Sequence, residues 1–221
     1  MVLLAPRNAT MTEIRGIIYD CDGVLFDSRR ANLAFYRHVL DHFDSPLSLT
    51  ENSPEADLCH THASTVVFEV LLGEARVAEA QAFAASADLR FLLDLMTPEE
   101  GMPGVLESLA GRMELALATN RGHSVRDLLA HFRMLPHFHT IVTSQDVHRP
   151  KPSPDMLLLA VEKLGLSPGE VLFVGDSDLD RQAAFHAGVR FVAYKGLVES
   201  DLVIQDHMEL LTLLDLSSRE V

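Results

Sequence analysis

The chain predicts an α/β fold, a three-layer parallel sheet carrying an all-helical insertion. Three observations predict it. From residue 101 onward, apolar runs of strand length alternate with amphipathic helical stretches, the pattern of a parallel sheet covered on both faces. A lone strand-like run, Ile14 to Tyr19, stands near the start. Between the two, from Arg29 to about Glu100, every periodic stretch is helical and no strand is expected. The expected domains are residues 1–28 with 101–221 as the sheet domain, and 29–100 as the helical insertion.

The elements follow in order. Met1 to Glu13 has only a short apolar patch and reads as an N-terminal extension without a signal-peptide region. Arg29 to Phe43 places Leu33, Tyr36, Leu40 and Phe43 at helical spacing, and Ser45-Pro46 breaks it. After the turn-rich Ser48 to Pro54, Val66, Val67, Val70 and Leu71 mark a second helical face that stops at Gly73. Ala75 to Met96 is Ala-rich and reads as helical throughout. In the sheet domain, Pro103–Gly111 is a short helix with proline where a missing N–H is tolerated. Met113–Ala118 is a strand, Ser124–Phe132 a helix and Thr140–Val142 a strand. Ser153-Pro154-Asp155 reads as a helix start capped by the serine, and that helix runs to Gly165. Val171–Val174 is a strand, Leu179–His186 a helix ended by Gly188, and Val189–Ala193 a strand. Leu202–Ile204 and His207–Leu214 close the chain as strand and helix.

Composition sets the class. The 221 residues are 48% apolar and 23% charged, in the range of a water-soluble globular protein. No apolar run approaches the length of a membrane span. A formal charge of −14 argues against a general nucleic-acid surface and requires any anionic substrate to be met locally, by a metal, a lysine or helix N-termini. Cys21 and Cys59 form no disulfide framework and fit a reducing, cytoplasmic setting.

Four stretches place polar residues directly after apolar strands, where open α/β sheets bind ligands. The first is Asp20-Cys21-Asp22-Gly23, in which strand alternation sends both carboxylates to one side and Gly23 lets the backbone turn. Two like charges so close call for a cation or a shared proton. The second is Thr119-Asn120-Arg121, the third Lys151 between two prolines, and the fourth Gly175-Asp176-Ser177-Asp178-Leu179-Asp180. Singly each reads as a turn, a cap or a solvated charge; their order and common placement make the set specific.

The four stretches together resemble the haloacid dehalogenase-like hydrolase superfamily. Asp20 to Ser28 matches its first motif, Thr119 its second, Lys151 its third and Gly175-Asp176-Ser177-x-x-Asp180 its fourth. The insertion resembles the helical cap of the phosphoglycolate-phosphatase and β-phosphoglucomutase-like branch. The resemblance implies a Rossmann-like core and Mg²⁺-dependent phosphoryl transfer. It implies Asp20 as nucleophile and Asp22 as the acid that protonates the leaving alcohol and then activates water. Asp20, Asp176 and the backbone carbonyl of Asp22 would hold the metal. Asp180 would act through a water or by orienting Lys151. Thr119, Lys151 and the backbone N–H groups of Asn120 and Arg121 would hold the phosphoryl oxygens.

Members of the superfamily differ in reaction. Carbon–halogen cleavage does not use the second aspartate, so Asp22 argues against it. Phosphonate cleavage uses a cap lysine, and residues 29–100 contain none. The mutases commonly carry a histidine where Asn32 stands, which leaves a phosphatase of a small phosphorylated metabolite ahead of a phosphosugar mutase and of a silent phospho-ligand binder. A monomer or homodimer is expected, with no nucleic-acid or membrane partner.

Weaker features remain. His38 and His42 read as a surface pair; Cys59, His60 and His62 match no common zinc spacing, and His60 or His62 is a candidate to face substrate. Arg29 and Arg30 read as solvated helix-start arginines, Arg121 as a candidate anion contact, and His148 and Arg149 as candidates by proximity alone.

Overall fold

The computed structural model of the protein describes residues 13–122 and 124–214. Residues 1–12 of the expected N-terminal extension lie outside the described residues.

Six parallel strands form one sheet. They are β1 (Gly16–Tyr19), β4 (Glu114–Thr119), β5 (Thr140–Thr143), β6 (Val171–Gly175), β7 (Arg190–Tyr194) and β8 (Val203–Ile204), ordered β5-β4-β1-β6-β7-β8. The Gly-Ile-Ile-Tyr run of β1 is buried on both faces and sits mid-sheet, flanked by β4 and β6. Alternation then sorts the core. Ile17, Tyr19, Leu115, Leu117 and Val174 pack on one face with Met102, Leu106, Leu128 and Leu210. These partners come from α5 (Met102–Leu109), α6 (Val125–His131) and α9 (Met208–Leu213). Ile18, Ala116, Ala118 and Phe173 pack on the other face with Met156, Ala160, Ala183 and Ala184, from α7 (Asp155–Leu164) and α8 (Asp178–Ala187). The result is the expected three-layer, Rossmann-like core.

The insertion builds its own core. Leu33, Tyr36, Val67, Phe68 and Ala80 gather from α1 (Arg29–His42), α3 (Ser64–Leu72) and α4 (Val77–Ser86). A short helix, α2 (Ala56–Thr61), which the sequence reading did not separate, links α1 to α3. The expectation of no strand between Arg29 and Glu100 is corrected at its end. β2 (Phe26–Asp27) pairs antiparallel with β3 (Thr97–Pro98), so the two chain crossings between core and cap form one ribbon.

The expected continuous helix over Ala75–Met96 is also corrected. A 3-10 turn at Glu74–Arg76 precedes α4, which stops at Ser86, and a second 3-10 stretch covers Arg90–Leu95. Asp88 supplies the reason. Its carboxylate accepts the Arg90 backbone N–H at 3.1 Å and the Arg90 side-chain Nε–H at 2.9 Å, offering the backbone an alternative to the helical ladder. At the start of α7, Pro154 rather than Ser153 is the capping residue. The Ser153 hydroxyl donates to Asp155 Oδ1 at 2.8 Å instead of accepting a backbone N–H. Ser177 is a true cap: its Oγ accepts the Asp180 N–H at 3.2 Å, and the Asp180 side chain accepts the Ser177 N–H at 3.1 Å.

Candidate active site

Register brings three of the four polar stretches to one edge, and the fourth, Lys151, lies not directly after a strand as expected but in the loop between β5 and α7. Tyr19 is level with Leu117 on one side and Val174 on the other, so Asp20, Thr119 and Gly175 all leave the sheet at its C-terminal rim. The Asp20 N–H still donates to the Val174 carbonyl at 2.9 Å, which holds Asp20 in line just beyond the end of β1. Gly23 then turns at φ 79°, and a Cβ there would collide with the Asp176 carboxylate. This is a position only glycine fills without strain.

At the centre lies Lys151, 4% exposed. Its Nζ is 2.8 Å from Asp20 Oδ1 and 2.6 Å from Asp180 Oδ1. The backbone of Lys151 is clasped by Asn120, whose Oδ1 accepts the Lys151 N–H at 3.0 Å while its Nδ2 donates to the Lys151 carbonyl at 3.2 Å. The same Nδ2 donates to the cap carbonyl of Thr61 at 2.9 Å. The Thr119 hydroxyl, fully buried, accepts the Arg121 N–H at 3.1 Å.

The guanidinium of Arg121 closes over the second aspartate. Nη2 and Nε donate to the two Asp22 oxygens at 2.6 and 3.1 Å, and Nη2 also donates to Asn32 Oδ1 at 2.7 Å. Asn32 in turn donates to Asp22 Oδ1 at 3.2 Å and lies 3.3 Å from His60 Nδ1. Burial alone would raise the Asp22 carboxyl, but the Arg121 charge and the hydrogen bonds from Arg121, Ser28 and Asn32 outweigh it and hold the group below its usual range.

Asp20 and Asp176 behave oppositely to Asp22. Burial pushes Asp20 up to about 7 against the pull of Lys151. Burial, then the Asp180 and Asp20 charges, push Asp176 up to about 8. Lys151 is raised, because Asp180 and Asp20 outweigh the burial that would lower it.

Oxygens of Asp20, Asp176 and Asp180 lie within 4.8 Å of one another. Three carboxylates thus share one ammonium, and Asp20 Oδ1 is buried with no well-angled hydrogen bond among the described residues. An all-oxygen donor set with surplus negative charge fits a hard divalent cation such as Mg²⁺. The grouping includes Asp180, expected only as a support. Because Lys151 and Ser177 hold the Asp180 carboxylate directly, at 2.6 and 2.5 Å, its place is beside the lysine.

A stability prediction follows. Folding raises the Asp20 and Asp176 values from 3.8, so between about pH 4 and pH 8 the metal-free folded protein holds more protons there than the unfolded chain. Its stability from these groups is full below that window and is lost as pH rises through it. A divalent cation bound there would compete with those protons, so added Mg²⁺ should raise Tm more near pH 8 than near pH 5. Thermal melts in Mg²⁺ and in a chelator check this; an equal Mg²⁺ effect at both pH values would count against it.

Among the remaining candidates, His60 reaches the site through Asn32, whereas His62 turns to the Thr61 hydroxyl at 2.8 Å. Cys59 is buried in the cap core, packed with Leu33, Tyr36 and Val67, and burial pushes its thiol up to about 12. His42 stacks on Phe83 at 3.7 Å, with His38 beside the same ring, so the pair belongs to an aromatic surface cluster. Arg29 lies 3.7 Å from Asp57 on the surface, Arg30 and His148 are exposed, and Arg149 pairs with Asp155 at 2.9 Å. Sequence reasoning placed Ser28 in the first motif but gave its side chain no role, and it missed the side-chain role of Asn120. Ser28 sits four residues before Asn32, a helical spacing that carries a usable signal.

A parallel, Rossmann-like core with an inserted helical cap, gathering acids and a lysine at the C-terminal rim of the sheet, is the architecture of a capped phosphoryl-transfer class. The haloacid dehalogenase-like hydrolase profile matches residues 17–194, and the chain belongs to that family. A phosphoglycolate phosphatase of Escherichia coli O157:H7 is 31% identical over 201 residues, covering 80% of this chain and 79% of that protein. A β-phosphoglucomutase of Bacillus subtilis is 23% identical over 208 residues, covering 89% and 92%. The crystal structure of a haloacid-dehalogenase-superfamily hydrolase, subfamily IA variant 1, from Geobacter sulfurreducens superposes with a TM-score of 0.79 at 38% identity, covering 91% of this chain and 100% of that one. Among the described residues, no helix is long and apolar enough to cross a membrane.

Proposed function

We propose that this protein is a Mg²⁺-dependent phosphatase of small phosphorylated metabolites, working through an aspartyl-phosphate on Asp20. The observation that carries the reading is the buried contact of Lys151 with Asp20 at 2.8 Å, inside a group of three convergent carboxylates. Mg²⁺, held by Asp20, Asp176 and the carbonyl of Asp22, would neutralise the charge of the transferring group. Asp20 attacks phosphorus and the bond to the leaving alcohol breaks. Lys151, the Thr119 hydroxyl and the backbone N–H groups of Asn120 and Arg121 hold the phosphoryl oxygens. Asp22 then takes a proton from the water that releases phosphate. Its ionised, Arg121-bound form is the one this second step needs. Donating a proton to the leaving alcohol in the first step requires Arg121 to let go of Asp22 as substrate enters.

The helical segment 29–100 is the cap, and its closure over the rim excludes bulk water. Asn120 and Arg121 tie the core to it through the Thr61 carbonyl and Asn32. The likeness to phosphoglycolate phosphatases supports a phosphatase outcome. A phosphosugar mutase is the second reading, favoured by the β-phosphoglucomutase relative. Asn32, bonded to Asp22, stands where mutases commonly carry histidine and weighs against it. A cytoplasmic enzyme, monomeric or homodimeric, fits two buried free cysteines.

The test is a panel of phosphorylated metabolites with purified protein and Mg²⁺, scored for inorganic phosphate and for isomerised sugar phosphate. Phosphate release supports the phosphatase. Isomerised product without phosphate moves the assignment to the mutase, and neither product removes both.

A further inference from the structure

His207 is fully buried at the start of α9, far along the chain from every motif, and the chemistry above makes no use of it. Its Nε2 lies 2.7 Å from the carbonyl of Val24. A carbonyl only accepts, so Nε2 carries the proton; burial lowers the imidazole below its usual range, so the ring is neutral and Nδ1 is a bare lone pair. That Nδ1 is buried without a hydrogen-bond partner among the described residues. A side chain there to fill space would be apolar and would leave no polar atom stranded. What the histidine contributes instead is a donor to the Val24 carbonyl.

Val24 lies two residues after Asp22, in the turn that ends at β2. Gly23 N–H to the Phe26 carbonyl at 2.8 Å and Leu25 N–H to the Cys21 carbonyl at 2.9 Å define that turn. The second crossing between core and cap is rooted at the same place. Glu99, which follows β3, donates its N–H to the Leu25 carbonyl at 2.9 Å. The Glu99 carboxylate accepts the Tyr194 hydroxyl at 3.0 Å and Lys195 Nζ at 2.8 Å. The Tyr194 ring stacks on His207 at 4.3 Å, and Tyr19, the residue before Asp20, meets the same imidazole edge-on at 6.1 Å.

We propose that His207 is a positioning residue, whose Nε2–H fixes the Val24 carbonyl and with it both the turn that aims Asp22 and the root of the cap ribbon. The role rests on the phosphatase reading of Asp20 and Asp22. It is distinct from that of a packed core histidine, because it requires the donor and not merely the ring.

Two variants separate the donor from the ring. His207→Phe keeps an aromatic ring for Tyr194 and removes the N–H. His207→Gln places an amide N–H near the Nε2 position and removes the ring. With p-nitrophenyl phosphate and Mg²⁺, the expected result is a fall in kcat of about tenfold for His207→Phe and recovery to within about threefold of the parent for His207→Gln. Wild-type kcat in His207→Phe, even with a lowered Tm, would overturn the proposal and leave only a packing role. So would a glutamine variant no better than the phenylalanine one. Should His207→Phe not fold, the nitrogen NMR spectrum of the unsubstituted protein decides: an Nε2–H tautomer supports the anchor, and an Nδ1–H tautomer overturns it. A parent protein with no turnover would count against the phosphatase reading, and the tautomer measurement would still decide the role of His207.

Discussion

Asp20→Asn is expected to lower kcat by about 10⁴-fold or more while leaving the fold intact. The amide keeps the shape of the carboxylate but has no charge with which to attack phosphorus. Stability should move the other way. Asp20 is buried among Asp176 and Asp180 with a single lysine to serve all three. Its carboxyl, raised to about 7 by burial, is a group the folded state prefers uncharged. A neutral isostere removes one of the repelling charges, so Tm in the absence of metal should hold or rise near pH 8. Activity and stability then part company at one atom, as expected where a fold tolerates strain for chemistry. Steady-state kinetics with Mg²⁺ and melting with a chelator check both halves. Turnover retained in the variant would remove Asp20 as nucleophile.

Lys151→Met should lose on both counts. The aliphatic stem is replaced at similar volume, but Asp20 and Asp180 lose their counter-charge inside the protein. Breaking a buried pair from one side costs about 3–5 kcal/mol, which for a chain of this size lowers Tm by roughly 10 °C. The loss should be larger near pH 8 than near pH 5, because the Asp20 carboxyl, already raised to about 7 by burial, escapes the penalty by protonation at lower pH. Activity should fall by about 10³-fold, the scale for removing a charge that meets developing anionic oxygens. Melting and kinetics on the same preparation test this, and an unchanged Tm would show that the lysine is not the hub of the site.

Why the core motifs were readable in the sequence, and other contacts were not, has a physical basis. Asp20 and Asp22 interrupt a strand whose neighbours are all apolar, and period-two alternation places their side chains without knowledge of the fold. Thr119 and Asp176 sit at equivalent points of the βα repeat, so parallel register brings them to one rim; Lys151, in the loop between β5 and α7, is brought there by the Asn120 clasp on its backbone. The Arg121–Asp22 pair was hidden, because it joins residues 99 apart through the rotamer of one long side chain. Asn32 and His60 were visible as polar residues in the cap, but their meeting depends on how α1 and α2 dock, which no local period encodes. His207 left no signal at all, since its partner is a backbone carbonyl and any residue could supply that.

The errors in secondary structure are of a different kind. The break at Ala87 was legible after the fact: an Asp-x-Arg step whose aspartate captures the Arg90 N–H competes with a helix that alanine composition favours. The ribbon of β2 and β3 was not, because two residues on each side carry too short a pattern, and Pro98 argues against a strand until its edge position is known. The misplaced cap at Ser153 is a choice between two nearby partners. The hydroxyl found the Asp155 carboxylate instead of a backbone N–H, and only the placement of Arg149 and Asp155 decides that.

Everything functional proposed here passes through a covalent bond between phosphorus and one oxygen of Asp20. Acid quenching during turnover, followed by peptide mapping, tests that bond most directly. The expected result is a phosphoryl group on the peptide containing Asp20, present with Mg²⁺ and substrate and absent in Asp20→Asn. Full turnover with no trapped adduct on that peptide, or an adduct that survives in Asp20→Asn, would contradict it.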